Sequence, residues 1–145
     1  GIAPELVPHY VNDSICRTLA GLTRAQRPQF LKIPFNGPKA LDELVSYDPS
    51  LVVGVLGGGA GTARDTFELI FQAEKYGARV ALFGRKINLA EDPLEMVRFM
   101  RAVADGDVTP AEAVKAYHNA LQSAGQKPLR ALDDDLVITE KVLMS

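Results

Sequence analysis

Apolar residues recur along this chain in two rhythms. From residue 4 to about residue 22, Leu6, Tyr10, Ile15 and Leu19 fall near one stripe. That is helical spacing, with Pro8 bending the first turns or delaying the start. Residues 30–35 (FLKIPF) read as a strand, residues 38–45 as a short helix, and Asp48-Pro49 as a turn. Residues 51–56 (LVVGVL) have no polar face and run into Gly57-Gly58-Gly59. Thr62 and Asp65 then form the S/T-x-x-D/E start of a helix that continues to Tyr76 and stops at Gly77. Residues 79–83 are the next strand, ending in Gly84. Asp92-Pro93-Leu94-Glu95 and Thr109-Pro110-Ala111-Glu112 each combine a cap, proline at the first helical position and an acid two residues on. The two helices they open end near Gly106 and Gly125. In the first, Met96, Phe99, Met100 and Val103 form a core stripe rather than a cofactor box. Asp133-Asp134-Asp135 reads as a solvated loop without a calcium-ligand pattern, followed by a short apolar tail that includes Met144.

Strand and helix alternate three times, which predicts an α/β chain of parallel strands joined by crossover helices. Three parallel strands leave two open edges and too few layers to bury both faces, so either the fold is small and irregular or, the reading we prefer, the chain is part of something larger. The length, 145 residues with 47% hydrophobic, allows one domain at most. Sixteen basic and 18 acidic side chains leave a formal charge of -2, which argues against a nucleic-acid or anionic-membrane surface. The apolar runs are far short of the ~20 residues that span a bilayer, and no export signal opens the chain, so a cytoplasmic location is expected. One cysteine and two histidines give neither an internal disulfide nor a metal set. Cys16 reads as a small apolar filler, and His9 and His118 as surface or packing residues.

Ligands of parallel α/β folds bind beyond the carboxyl ends of the strands, and three features gather there. Alternation places Phe30, Lys32 and Pro34 on one face of the first strand and Leu31, Ile33 and Phe35 on the other. The larger apolar trio wants the helix-packed face, which turns Lys32 the opposite way. Desolvated there, its amine is nucleophilic at neutral pH and suited to a Schiff base. The alternative is an edge lysine that discourages aggregation. Gly57-Gly58-Gly59-Ala60-Gly61 before a capped helix suits an anion, whereas a tight turn needing positive φ would use the same residues. The Walker pattern is absent, and Thr62 stands where a dinucleotide loop wants its third glycine. Gly84-Arg85-Lys86 fits either an NADP 2′-phosphate, a substrate phosphate or a solvated basic loop.

Residues 3 to about 105 resemble the C-terminal half of an archaeal-type class I fructose-bisphosphate aldolase, a (β/α)8 barrel. The resemblance rests on Ala3-Pro4-Glu5-Leu6-Val7, on Leu31-Lys32-Ile33-Pro34-Phe35-Asn36-Gly37-Pro38-Lys39, on Leu56-Gly57-Gly58-Gly59 and on Phe83-Gly84-Arg85, in that order. It implies that the three strands are strands six to eight of a TIM barrel and that Lys32 forms the Schiff base. Gly57, Gly58, Gly59, Gly84 and Arg85 would then hold the phosphate of a keto sugar in carbohydrate metabolism, without a cofactor or metal. Gly57 replaces the family's serine, and Gly61 stands where a lysine is frequent. The resemblance further implies that strands one to five, with the acid and base of the reaction, lie outside these residues. The segment alone is then expected to be inactive, as a homo-oligomer or complemented by the missing half. Residues 109–145 are an extra helix and tail. The alternatives are an NADP-binding α/β domain and a non-catalytic barrel relative that serves as a scaffold.

Overall fold

Strands β1 (Phe30–Pro34), β2 (Val52–Leu56) and β3 (Val80–Leu82) pair in parallel in the order β1-β2-β3. Helices α2 (Pro38–Tyr47) and α3 (Ala63–Lys75) make the two crossovers, so the α/β alternation holds in this computed structural model, which describes residues 1–144. Lys32 lies beside Gly54, and Gly54 beside Val80. Neighbours in a parallel ladder point to the same side. One face therefore carries Leu31, Ile33, Val53 and Val55, and the other carries Phe30, Lys32, Pro34, Val52, Gly54, Leu56, Val80 and Leu82.

The first face is packed. Ile33, Val53 and Val55 meet Leu41 and Leu44 of α2, Leu69 and Ala73 of α3, and Leu19 of helix α1 (Val7–Ala20). The proline-rich start of α1 is a 3-10 turn over Pro4–Leu6, so Pro8 sits in the first helical turn, where its missing N–H costs nothing. The second face is bare among the described residues: Phe30 is 42%, Val52 36% and Val80 37% exposed. Gly54 is required there, since a Cβ would lie 2.7 Å from the Phe30 ring that crosses it.

A second core forms on the outer side of α3. Helices α5 (Pro93–Ala104) and α6 (Pro110–Ser123) bring Met96, Phe99, Met100, Val103, Val114, Tyr117 and Leu121 against Phe67 and Ile70. The stripe read from spacing in α5 is thus core, and the caps Asp92 and Thr109 bond the first-turn amides as their patterns demand. Between β3 and α5 is the short helix α4 (Arg85–Asn88).

Three elements differ from the sequence reading. The third strand is shorter than residues 79–83: only Val80–Leu82 pairs in register with β2, and the Arg79 amide, which donates to the Val53 carbonyl (2.9 Å), stands at its start. The helix α2 continues past residue 45 to Tyr47, whose hydroxyl donates to the Cys16 carbonyl. Asp133-Asp134-Asp135 is not a solvated loop: it lies in a short helix, α7 (Leu132–Asp135), and Asp135 is only 3% exposed. Among the described residues no helix is long and apolar enough to cross a membrane.

The segment after α7 crosses the start of α3 as a strap, ending in a 3-10 turn that buries Leu143 in the first core. Asp65 holds it. Its carboxylate accepts from Thr62 N (3.0 Å) to close the capping box. It also accepts from the Thr139 amide (2.7 Å), the Thr139 hydroxyl and the Glu140 amide (3.2 Å). Burial pushes this carboxyl up, but the bonds from Thr139, Thr62 and Glu140 outweigh it and hold it below the usual aspartate range. A depressed folded pKa stabilises the fold above the unfolded value, near pH 4, and that stability is lost as pH falls through the folded pKa. Asp65→Asn is expected to cost about 2–3 kcal/mol at neutral pH. Urea midpoints should fall less between about pH 4 and pH 2 for the variant than for the natural chain.

Candidate functional site

The carboxyl ends of the three strands open onto one rim, and the predicted residues lie along it or just below it. Lys32 is on the bare face, two residues before β1 ends, and its amine has no hydrogen-bond or ion-pair partner among the described residues. Its orientation is the one that strand alternation predicts. The desolvation expected with it is missing, because nothing covers that face and the side chain stands exposed to water.

The glycine loop divides into two functions. Gly57 N–H donates to the Leu82 carbonyl (3.3 Å), extending the ladder, and a Cβ at Gly57 would lie 2.8 Å from the Phe83 ring. Gly57 therefore lets β2 and the end of β3 approach, and its amide is spent. Beyond it, Gly58 and Gly61 take positive φ (69° and 62°), and the amides of Gly58, Gly59, Ala60 and Gly61 have no partner among the described residues. Nothing lies within 4 Å of a Cβ placed at Gly58 or Gly59, so the approach to their amides is open. Free N–H groups in such a turn form a shallow concavity for an anion.

Arg85 and Lys86 are neighbours in sequence with opposite fates. Arg85 is exposed and forms no ion pair among the described residues, so its guanidinium is available at the rim. Lys86 turns inward: its side chain is 0% exposed, with Nζ 2.7 Å from Glu140 Oε1 and 3.4 Å from the Ala60 carbonyl. The reading of Gly84-Arg85-Lys86 as a solvated basic loop is therefore wrong for Lys86. Its charge is spent inside the fold.

The start of α3 is also occupied. Ala63 N–H donates to Asp135 Oδ1 (2.8 Å), and the Thr62 hydroxyl donates to the Val137 carbonyl (2.8 Å). The other Asp135 oxygen lies 2.8 Å from His118 Nε2, and with the proton on that nitrogen the imidazole donates. His118 is accordingly a packing residue, buried and satisfied, whose partner comes from α7 rather than from its own helix. Cys16 is half-buried beside the first core, where burial, and after it Asp13 and Glu43, push its thiol up, consistent with an apolar filler. Among the described residues no group of His, Cys, Asp and Glu could hold a metal ion.

Behind the glycine loop is a cleft of about 240 Å³ lined by Gly61, Thr62, Lys86, Met96, Arg130 and Asp135. A larger hollow, about 920 Å³, lies at the amino ends of the strands beside the Arg27–Asp48 ion pair. That is the wrong end of a parallel sheet for ligand chemistry. Sequence reasoning placed Lys86 at the rim but not its burial, and missed Asp135, Thr139 and Glu140 as parts of it. Of their partners, only Asp65 had a local signal, the capping pattern.

Comparison with protein-family models and with curated proteins finds no match to this chain.

The two glycine roles can be separated by substitution. Gly57→Ala forces its methyl group against the Phe83 ring and should cost about 1–3 kcal/mol in urea denaturation. Gly59→Ala has open space and ordinary φ, so its stability should stay within about 0.5 kcal/mol of the natural chain.

Proposed function

We propose that this chain is the C-terminal part, about strands six to eight, of a (β/α)8 barrel of the class I aldolase kind. In this reading Lys32 captures the carbonyl of a phosphorylated keto sugar as a Schiff base. The observation that carries it is the placement of Lys32: an amine without a partner among the described residues, on the uncovered face of a parallel sheet whose next two strands end in an open amide loop and an exposed arginine. In a closed barrel that face is the interior, and the helices α2 and α3 lie outside, on the side where they pack here.

The spacing supports a small phosphorylated substrate. Lys32 is level with Gly54, four residues before Gly58. At about 3.3 Å per residue and 4.8 Å between strands, the two Cα atoms are roughly 14 Å apart. A lysine side chain, roughly 6 Å long and rising from the sheet face, shortens that gap only in part by leaning toward the loop, which leaves room for a small phosphorylated carbonyl compound. Gly58 and Gly59 would supply amides to its phosphate, Gly84 and Arg85 the second side of the phosphate, and Gly57 the close approach of the two strands. Phosphate binding would then fix the carbonyl beside Lys32, so that remote binding energy serves the reacting centre.

The chemistry balances without a cofactor. The amine adds to the ketone, water leaves, and the protonated imine draws electrons from the bond to be broken. The proton transfers need an acid and a base, and none contacts Lys32 among the described residues. They fall to whatever covers the bare face, further barrel strands or another copy of the chain. That cover would also desolvate the amine.

A dinucleotide draws less support from this geometry. The start of α3, where a pyrophosphate would lie, carries the Asp135 carboxylate, and Lys86 is neutralised by Glu140. The cleft behind the loop, about 240 Å³, is smaller than the ~300–1,000 Å³ that organic ligands of drug size occupy. A scaffold role draws only on the bare face and gives Lys32 no task.

Borohydride reduction in the presence of dihydroxyacetone phosphate tests the proposal. Hydride should add to the imine carbon and leave a stable secondary amine on Lys32, located by peptide mass spectrometry. Lys32→Met should remove the adduct, and Arg85→Ala should reduce its yield at limiting ligand by about tenfold. Failure to label Lys32 at saturating ligand, both in this chain and in a longer parent chain that covers the bare face, would reject the Schiff-base step, and stabilisation by NADP in place of phosphate would favour the dinucleotide alternative.

A further inference from the structure

Both rim loops are fastened to the C-terminal strap through one buried ammonium. Lys86 is in α4, one residue after Arg85, and so moves with the Gly84-Arg85 loop. Its Nζ contacts the Ala60 carbonyl, in the middle of the glycine loop (3.4 Å). It is held there by Glu140 Oε1 at 2.7 Å. Glu140 is fixed in turn, because its own amide and both donors of Thr139 bond the buried Asp65 carboxylate. The glycine loop has little else to hold it. Nothing lies within 4 Å of a Cβ placed at Gly58 or Gly59, only Gly61 backs onto the Asp65 side chain, and neither the carbonyls nor the amides of residues 58–61 have another hydrogen-bond partner among the described residues.

We propose that Glu140 is a positioning residue that clamps Lys86 and thereby sets the spacing between the glycine loop and Arg85. This deepens the reading of those loops as a phosphate site and rests on it for the ligand. A fully desolvated ammonium needs a compensating charge, and among the described residues the only carboxylate within ion-pair distance is that of Glu140. With the carboxylate present, Lys86 stays beneath the loop and its second contact pins Ala60. Without it, the lysine has no reason to remain buried, and the two loops lose their common anchor. The clamp also explains why Arg85 alone is left at the rim: one cation faces the ligand, and its neighbour is consumed in holding the frame. A single guanidinium with a few amides suits a phosphate monoester better than a more highly charged ligand.

The test compares the natural chain with Glu140→Gln, Glu140→Asp and the double variant Lys86→Met/Glu140→Gln. Replacing a buried ion pair by neutral groups is frequently tolerated, so the double variant keeps the question open to measurement if Glu140→Gln fails to fold. Two readouts are taken below the unfolding transition: amide hydrogen exchange without ligand of Gly57, Ile87, Asn88 and Leu89, whose N–H groups are hydrogen-bonded at the feet of the two loops, and titration with inorganic phosphate. Release of the clamp should speed exchange at these loop amides while the strand amides of Val53 and Val55 stay protected. It should also raise the phosphate Kd by about tenfold. Glu140→Asp should lie between the natural chain and Glu140→Gln. Unchanged loop exchange in the double variant would overturn the clamp, as would uniform loss of protection across the sheet, which marks a general stability effect. If the natural chain binds no phosphate while loop exchange responds as described, the clamp stands and the phosphate reading fails.

Discussion

A carboxylate that cannot reach water must be surrounded by donors, and in this protein that requirement organises the rim of the sheet. Asp65 is completely buried at the start of α3, and its oxygens are satisfied by Thr62 on one side and by Thr139 and Glu140 on the other. The first bond is local and ends the glycine loop at a defined residue. The others reach 74 and 75 residues along the chain and draw the C-terminal strap over the helix. Once the strap is there, Asp135 meets the Ala63 amide, Glu140 meets Lys86, and Leu143 fills the first core. The rim, the strap and α3 are therefore one structural unit.

The sheet obeys a different constraint. Parallel strands are stable when both faces are covered, and here α1, α2 and α3 cover only one. The consequence is a row of apolar side chains around a single amine, Lys32, facing solvent. In the proposed reading, whatever covers Phe30, Val52 and Val80 would also lower the dielectric around Lys32 and bring the groups that exchange protons with it. The uncovered face is the feature on which the barrel proposal rests.

Charge is distributed to match. Of the two adjacent cations after β3, Lys86 is taken out of solvent by Glu140, and Arg85 stays exposed with no ion pair among the described residues. The helix start that would attract a second anion is already filled by Asp135, itself held by His118. What is left at the rim, among the described residues, is a set of unpaired amides and one guanidinium, the groups on which the proposed phosphate site draws.

By itself the sequence determined the features that depend on neighbours within a few residues. The caps at Thr62, Asp92 and Thr109, the strands, the stripe in α5 and the face on which Lys32 projects follow from periods of 3.6 and 2 and from side chains that bond their own backbone. The tertiary structure decided the features that depend on residues far apart. Arg85 and Lys86 have equal standing in the sequence, and only the arrival of Glu140, 54 residues later, buries one of them. Asp133, Asp134 and Asp135 look alike, yet only Asp135 lands on the Ala63 amide, 72 residues earlier, and becomes part of the core. Local periodicity has no term for such meetings, because they are set by where the packed helices place the chain ends and by the cost of leaving a buried charge unpaired.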